Sequence, residues 1–386
     1  MEYSGLNVLL TEGGSRQTLP MAKAFSELGC RVTTLNSSSL DVGNVSKYPT
    51  KKIIGRCTPN DHSGTKNEIE RILKNEKYDL VVPMSDFTAS LLSKNKAFFS
   101  QYAEIATTDW EIFNNAFDKL NTMKICMDNG IPCPKTILNV ESVDDLKEMK
   151  FPVVIKPRSG WGSIGFNIVE SKEKLSKILK TTDTTLGPMF VQEYIPQTAK
   201  QFNAHMFLDS NHNVKTALIT EKNRWFPIDG GASTLSITVD RPDIVDICSR
   251  LLKEMKWVGY CDVDLILDPR DDVPKIIEIN ARISANVKIC YLVGVNIARQ
   301  IVESYLGNDV TQYDTYKKDV RLRSMHTDLL WFLKSKSRLK IKPSWFSFKH
   351  TSDQIFSLTD IKPWFAFTIQ AFKNYRNEMR KRKRKN

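Results

Sequence analysis

The chain has 386 residues, with 56 Lys+Arg against 44 Asp+Glu and a formal net charge of +12. That excess sits at one end: residues 317–386 hold 19 Lys/Arg and 5 Asp/Glu, a net of +14, which leaves the preceding 316 residues at −2. A basic footprint confined to the last 70 residues excludes a protein that coats nucleic acid with its folded body, and no nucleic-acid partner is expected of that body.

A near-neutral stretch of this length exceeds a single core and should divide into domains. The seven cysteines (Cys30, Cys57, Cys126, Cys133, Cys248, Cys261 and Cys290) are scattered, odd in number and contain no C-x-x-C pair. Neither a disulfide framework nor a zinc site is expected, and the cytoplasm is the expected compartment. No charged leader precedes an apolar stretch, and no run approaches the roughly 18 apolar residues of a spanning helix.

In chain order, Leu6–Thr11 reads as a strand, followed by Gly13-Gly14 and an amphipathic segment over Leu19–Leu28. Arg31–Leu35 reads as a second strand, Glu68–Lys74 as helix, and Asp79–Pro83 as a short buried strand. Strands alternating with helices predict a parallel sheet, whose ligand crevice lies beyond the carboxyl ends of its strands. Gly13, Gly14, Ser85 and Asp86 fall at that edge, and the glycine pair is either a ligand-facing loop or only a tight turn. Helical patterns fill Trp110–Asn129, and Ile131-Pro-Cys-Pro134 then interrupts the chain, so a domain boundary is expected near residues 105–125.

From Phe151 onward short strands and hairpins predominate. Pro152-Val-Val-Ile-Lys-Pro-Arg-Ser-Gly-Trp-Gly-Ser-Ile-Gly165 delivers Lys156 from an apolar strand into a loop with three glycines. Such a loop lets backbone N–H groups approach phosphate oxygens while the ammonium supplies charge; it is not a Walker A loop, which needs Gly-Lys-Ser/Thr. Phe190-Val-Gln-Glu-Tyr-Ile195 is an apolar strand with one acid, Glu193. Gly259–Leu267 and Lys275–Arg282 read as adjacent antiparallel strands. Alternation puts Asp262 and Asp264 on one face, and Glu278, Asn280 and Arg282 on one face, with Ile277 and Ile279 opposite. If the two polar faces coincide, Asp264, Glu278 and Asn280 make an oxygen cluster suited to Mg2+; otherwise they are solvated charges on an exposed sheet.

Taken together, Lys156 with its glycine loop, Gln192-Glu-Tyr-Ile195, Asp262-Val-Asp264 and Glu278-Ile-Asn-Ala-Arg282 resemble the ATP-grasp superfamily. The nearest resemblance is to carbamoyl-phosphate-synthase-like carboxylate–amine ligases, over roughly residues 5–310. It implies an α/β and α+β fold: a parallel-sheet pre-ATP-grasp domain (1–108), a two-lobed ATP-grasp domain (109–310, lid lobe about 125–200), and a basic, aromatic-rich helical tail (311–386). It also implies an ADP-forming enzyme in which a carboxylate attacks the γ-phosphate of ATP and an amine displaces phosphate from the acyl phosphate. By resemblance, Lys119 and Lys156 contact ATP phosphates, and Ser159, Gly160, Gly162, Ser163 and Gly165 cover them. Glu193 and the backbone near Ile195 hold the adenine. Asp264, Glu278 and Asn280 ligate Mg2+, or Mn2+ in its place, and Arg282 stabilises the transferring phosphoryl group. Phosphoryl transfer depends on such positioning and charge neutralisation.

Three positions depart from the family pattern: Gln201 where an acid usually meets the ribose, Asp264 where Gln or Glu is common, and Ala285 where Gly is common. In Lys222–Thr234, the resemblance turns Arg224, Gly230 and Gly231 toward a carboxylate substrate, the alternative being a surface hairpin turn at Asp229–Gly231. His205 reads as a structural histidine. In the tail, aromatics from Trp331 to Tyr375 are interleaved with basic residues, and Trp364–Tyr375 reads as a helix leading to Arg380–Lys385. That pattern suits an anionic membrane surface at the inner face of the cell membrane, with a cap on the core or RNA contact as alternatives. Asp360-Ile-Lys-Pro363 and the following helix are similar to the ends of ATP-grasp proteins of bacterial surface-polysaccharide pathways, which implies a glycan substrate. Rival readings place a kinase, a carbamoyl-forming enzyme or a non-catalytic membrane scaffold on the same nucleotide site.

Overall fold

A computed structural model describes residues 2–138, 140, 142–146, 149–158, 167–181, 189–196, 199–228 and 231–383. Its first sheet has five parallel strands in the order Lys51–Ile54, Arg31–Asn36, Asn7–Leu10, Leu80–Val82, Glu104–Ile105. The near-continuous apolar runs of its middle strands reflect burial on both faces: Val8, Leu9, Leu10, Leu80 and Val81 are all fully enclosed. One face packs in a cluster with Phe25 of the first helix and with Ile283, Ile289, Ile297 and Ile301 from much later in the chain. The parallel sheet and the later domain therefore share a core.

The expected helical stretch Trp110–Asn129 is two helices, Trp110–Phe117 and Lys119–Asp128. Asp118 separates them in an extended conformation and accepts the Leu120 N–H at 2.9 Å, satisfying one of the open donors of the second helix. Beyond them a four-stranded antiparallel sheet (Thr136–Ile137, Met189–Glu193, Val153–Pro157, Asn167–Val169) encloses its own small core of Val153, Ile155, Val169, Leu175 and Val191.

The third sheet has seven strands in the order Val273–Asn280, Gly259–Asp268, Gln201–Leu208, Val214–Phe226, Ala232–Thr238, Arg321–Arg323, Thr351–Asp353. Its last two strands belong to the basic C-terminal segment. The tail, expected as a helical extension, also supplies two strands that extend this sheet. The helix Met325–Lys334 packs on the strand Val214–Phe226. The helix Lys362–Lys383 docks on the first domain, where Trp364 and Phe367 meet Leu19, Val42 and Ile355. Asp360 fixes this junction by accepting from the Ser46 hydroxyl at 2.5 Å and the Lys47 N–H at 3.3 Å. His205 is enclosed, with Nδ1 2.7 Å from the Tyr260 hydroxyl, and burial holds its pKa down to about 4, as befits a structural histidine.

Candidate active site

The antiparallel register sets the centre of the site. Asp262 lies opposite Asn280 and Asp264 opposite Glu278, while on the other side of the same strand Asn203 lies opposite Asp264. The two polar faces expected from alternation do coincide. A register shift after Asp264 makes two residues, Ile276 and Ile277, share one partner position. Ile276 enters the core and Ile277 stays half-buried, so the bulge, not Ile277, completes the apolar face.

Three ammonium groups converge on these acids. Lys119 Nζ is 3.0 Å from Glu278 Oε2, and Lys222 Nζ is 3.2 Å from Asp264 Oδ1. Lys156 is 8 % exposed and feels both Glu278 and Lys119 electrostatically. Burial pushes the Lys156 pKa down to about 8, with Glu278 opposing that shift and Lys119 adding to it. Burial raises Asp264 to about 6 against the pull of Lys222, and it raises Asp262 to about 6 as well. At Glu278 burial acts upward, but Lys119, Lys156 and Lys222 together outweigh it and keep the carboxyl below its usual range. The Asn203 amide donates to Asp264 and Asp262, while Asn203 Oδ1 and Asp262 Oδ1 have no hydrogen-bond partner.

Among the described residues no three His, Cys, Asp or Glu side chains surround one point. Two carboxylates, an amide and orphaned oxygens, already facing cations, are donors of the kind that suits Mg2+, which keeps waters and shares its shell with phosphates. The residues present therefore fit that ion at Asp264, Glu278 and Asn280.

Arg282 is held from two domains. Its Nε donates to Asp86 at 3.1 Å, its Nη2 to Asn280 Oδ1 at 3.1 Å, and its Nη1 to the Ile283 carbonyl at 3.3 Å. Asp86 opens the helix Asp86–Lys94 at the end of the strand Leu80–Val82, and Ser85 caps that helix by accepting the Thr88 N–H at 3.3 Å. Both thus lie at the crevice edge that the sequence predicts. Beside them Glu12 adopts positive φ and accepts from the Thr88 hydroxyl at 2.7 Å. Gly13 is a packing glycine: a Cβ there would sit 1.9 Å from Asn36 Oδ1.

Other expected residues are distributed around this centre. Lys119 N–H donates to the Arg158 carbonyl at 2.9 Å and Asp118 grips the Arg158 guanidinium at 2.7 Å, so the start of the glycine loop is pinned next to Lys119. Ser159, Gly160, Gly162, Ser163, Gly165 and Gly230 lie outside the described residues. Glu193 sits where the small and large sheets meet. Its Oε1 accepts the Lys135 N–H at 2.8 Å and its Oε2 pairs with Arg270 at 2.8 Å. Ile195 is buried just beyond, and Gln201 begins the central strand opposite Lys222.

Arg224 is placed away from the cluster. Register shifts on either side of it separate it from Lys222, and the Nε/Nη2 edge of its guanidinium is bound by both carboxylate oxygens of Asp328 at 2.8 and 3.0 Å. At 2 % exposure and stacked on Trp331, it anchors the C-terminal segment instead of facing a substrate carboxylate. Gly231 closes a hairpin, since a Cβ there would meet the Phe226 carbonyl oxygen at 2.3 Å. Asn203 and the ammonium of Lys222 carry no motif of their own in the sequence; the signal that finds them is their alternation on the strands beside Asp264.

Comparison with known proteins agrees with this geometry. Residues 116–286 match the ATP-grasp domain family. The chain is 26 % identical over 270 residues to the D-aspartate ligase of Enterococcus faecium, covering 64 % of this chain and 63 % of that protein, which is less than two thirds of its length. It is 26 % identical over 245 residues to the D-alanine--D-alanine ligase of Bacillus anthracis, covering 56 % of this chain and 76 % of the relative. In fold it is similar to the biotin carboxylase of Campylobacter jejuni, solved as a beta-gamma-ATP complex, with TM-score 0.69 and 16 % identity over 81 % of this chain and 74 % of the other.

Proposed function

We propose that this chain, which carries an ATP-grasp domain, is an ATP- and Mg2+-dependent ligase that joins a carboxylate to an amine through an acyl phosphate. The observation that carries the reading is the convergence of Lys119, Lys156 and Lys222 on the paired acids Asp264 and Glu278, with Arg282 held beside them by Asn280 and Asp86. ATP supplies the phosphoryl group, and Mg2+ at Asp264, Glu278 and Asn280 would neutralise phosphate charge. Lys119 exchanges its partner Glu278 for phosphate oxygens, and the Lys156 ammonium beside it adds its charge to them. Arg282, fixed in orientation by Asp86 and Asn280, faces the charge that develops on the transferring group and then on the acyl phosphate. Glu193, with the backbone through Ile195, borders the adenine, and Gln201 takes the ribose side.

The D-amino-acid ligases among the relatives support an amino acid as one substrate; none of the relatives compared supports a glycan. The test is ADP formation from a panel of D- and L-amino acids offered singly and in pairs. ADP should form only when a carboxylate and an amine are both present. Full turnover with a single carboxylate that lacks an amine, leaving a stable phosphorylated product, would replace the ligase with a kinase.

We also propose that the C-terminal segment docks on an anionic lipid surface. Among the described residues, twelve of the sixteen exposed large apolar side chains fall between Leu329 and Phe372. Phe365, Ile369 and Phe372 repeat at helical spacing on the outer side of Lys362–Lys383, and the sequence then runs into Arg380–Lys385. No helix among the described residues is long and apolar enough to cross a membrane. An apolar stripe beside a polybasic run is the chemistry of surface attachment, each basic residue contributing on the order of 1 kcal/mol near anionic lipid. The full chain should sediment with phosphatidylserine-containing vesicles at low salt, and the variant Phe365→Ser/Ile369→Ser/Phe372→Ser should remain in solution. Equal sedimentation of the two proteins would remove this stripe as the membrane contact, and equal binding to phosphatidylcholine vesicles would remove the anionic lipid.

A further inference from the structure

A cation other than those already placed stands at the crevice. Arg16 follows the Gly13-Gly14 turn at the carboxyl end of the strand Asn7–Leu10 and is half-buried. Its Nη1 donates to Gln354 Oε1 at 2.8 Å and to Ser324 Oγ at 3.4 Å, both neutral acceptors from the C-terminal segment. Among the described residues no carboxylate lies within ion-pair distance of Arg16, and its Nε and Nη2 edge meets no acceptor. Asp353, beside Gln354 in sequence, opposes the downward shift of Arg16 from a distance, but its carboxylate is engaged by the backbone N–H groups of Met325, Ile355 and Phe356 at 3.0, 2.9 and 2.6 Å.

The surroundings are built to hold this guanidinium. Gln354 is buried and donates its amide to the Ala285 carbonyl at 2.6 Å and to Asn286 Oδ1 at 3.0 Å. Its carbonyl oxygen is therefore fixed toward Arg16. Asn286 in turn donates to Ser236 Oγ at 3.3 Å. Ala285 and Asn286 lie three and four residues beyond Arg282, and Arg282 is close enough to push the Arg16 pKa down after burial, the larger cause. Two guanidiniums that repel one another in a crevice, one of them with no acid in direct contact and only Asp353 attracting it from farther off, leave a positive potential that an anion would relieve. A free Nε/Nη2 edge is the fork that binds carboxylate or phosphate in bidentate fashion.

We propose that Arg16, set in place by Gln354 and Ser324 of the C-terminal segment, forms an oxyanion subsite for a substrate group that is not the one being activated. The chemistry is shared by a carboxylate, as on an amino-acid acceptor, and a phosphate, as on a phosphorylated one. The C-terminal segment is on this view part of the substrate site. The inference rests on the ligase reading for the identity of the molecule that carries the anion, but not for the anion site itself.

The experiment titrates malonate and, separately, inorganic phosphate into the full chain holding Mg2+ and a non-hydrolysable ATP analogue, by calorimetry. Wild type should bind one of the two, and the preferred probe distinguishes a carboxylate from a phosphate acceptor. Arg16→Met should weaken that binding by about tenfold or more, Arg16→Lys by less, and Gln354→Leu in between, since loss of a bidentate charged contact typically costs more than one decade in affinity. The analogue itself should bind all four proteins equally. Wild-type affinity for the anion in Arg16→Met, or no anion binding by wild type, would overturn the subsite. A change in melting temperature alone would leave Arg16 as a tie between domains. Failure of the analogue to bind wild type, with Arg16-dependent anion binding intact, would instead count against the ligase reading.

Discussion

Glu278→Gln is expected to lower the rate of ADP formation by roughly 10²–10³-fold, the loss typical when a preorganised charge is removed from a phosphoryl-transfer or oxyanion site. The substitution keeps the side-chain shape and removes the charge that Lys119 approaches at 3.0 Å and that Lys156 and Lys222 also feel. It takes away one of two carboxylates among the three side chains that would hold Mg2+, so excess Mg2+ should restore part of the rate. Steady-state ADP release, with circular dichroism to confirm the fold, measures this. A rate within about tenfold of wild type would remove Glu278 from the site. The pH profile carries a second signature. Because burial holds Lys156 near 8, its ammonium is lost as pH rises through that value in the unliganded protein. Nucleotide affinity should therefore fall above pH 8, and Lys156→Met should flatten that fall at a lower overall affinity.

Asp328→Ala is expected to destabilise the C-terminal segment by about 3–5 kcal/mol, the range for removing one partner from a buried ion pair. Asp328 is fully enclosed and accepts from Arg224 at 2.8 and 3.0 Å, from Arg323 at 2.5 Å and from the Thr234 hydroxyl at 2.7 Å. Its loss leaves two guanidiniums, stacked on Trp331 and Trp345, buried without an acid. A molecule with several cores need not unfold in two states, so hydrogen exchange within residues 321–353 is the appropriate readout. Exchange protection there should drop while that of the strand Leu80–Val82 persists. Unchanged protection at residues 321–353 would mean that the Arg224–Asp328–Arg323 cluster does not hold this segment.

What was legible in the sequence is what depends on short-range pattern. The strand faces that carry Asp262, Asp264, Glu278 and Asn280 follow from alternation alone, and the structure pairs them residue for residue. The crevice edge at Asp86 followed from the parallel topology, although nothing local announced that its partner would be Arg282, 196 residues away. Arg224 departs from its expected place for the opposite reason. A cation near a glycine turn looks like a substrate contact until tertiary structure supplies Asp328, 104 residues later. The tail shows the same limit. Its charge and aromatics were plain, but the strand Arg321–Arg323 is three residues long, too short to register as a period, and pairs with a strand more than 80 residues earlier. Arg16 and Gln354 are illegible in the sequence, because a single Arg and a single Gln have no pattern until 338 residues of chain bring them together.

The most direct test of the central claim follows oxygen. A carboxylate substrate labelled with 18O in its carboxyl group is turned over with ATP, Mg2+ and the amine, and the inorganic phosphate is analysed by mass spectrometry. Attack of the carboxylate on the γ-phosphate makes the bridging oxygen of the acyl phosphate, and expulsion of phosphate by the amine carries that oxygen away. The account predicts one 18O atom in each phosphate released. Phosphate free of label, or label retained in a stable phosphorylated product, would contradict it.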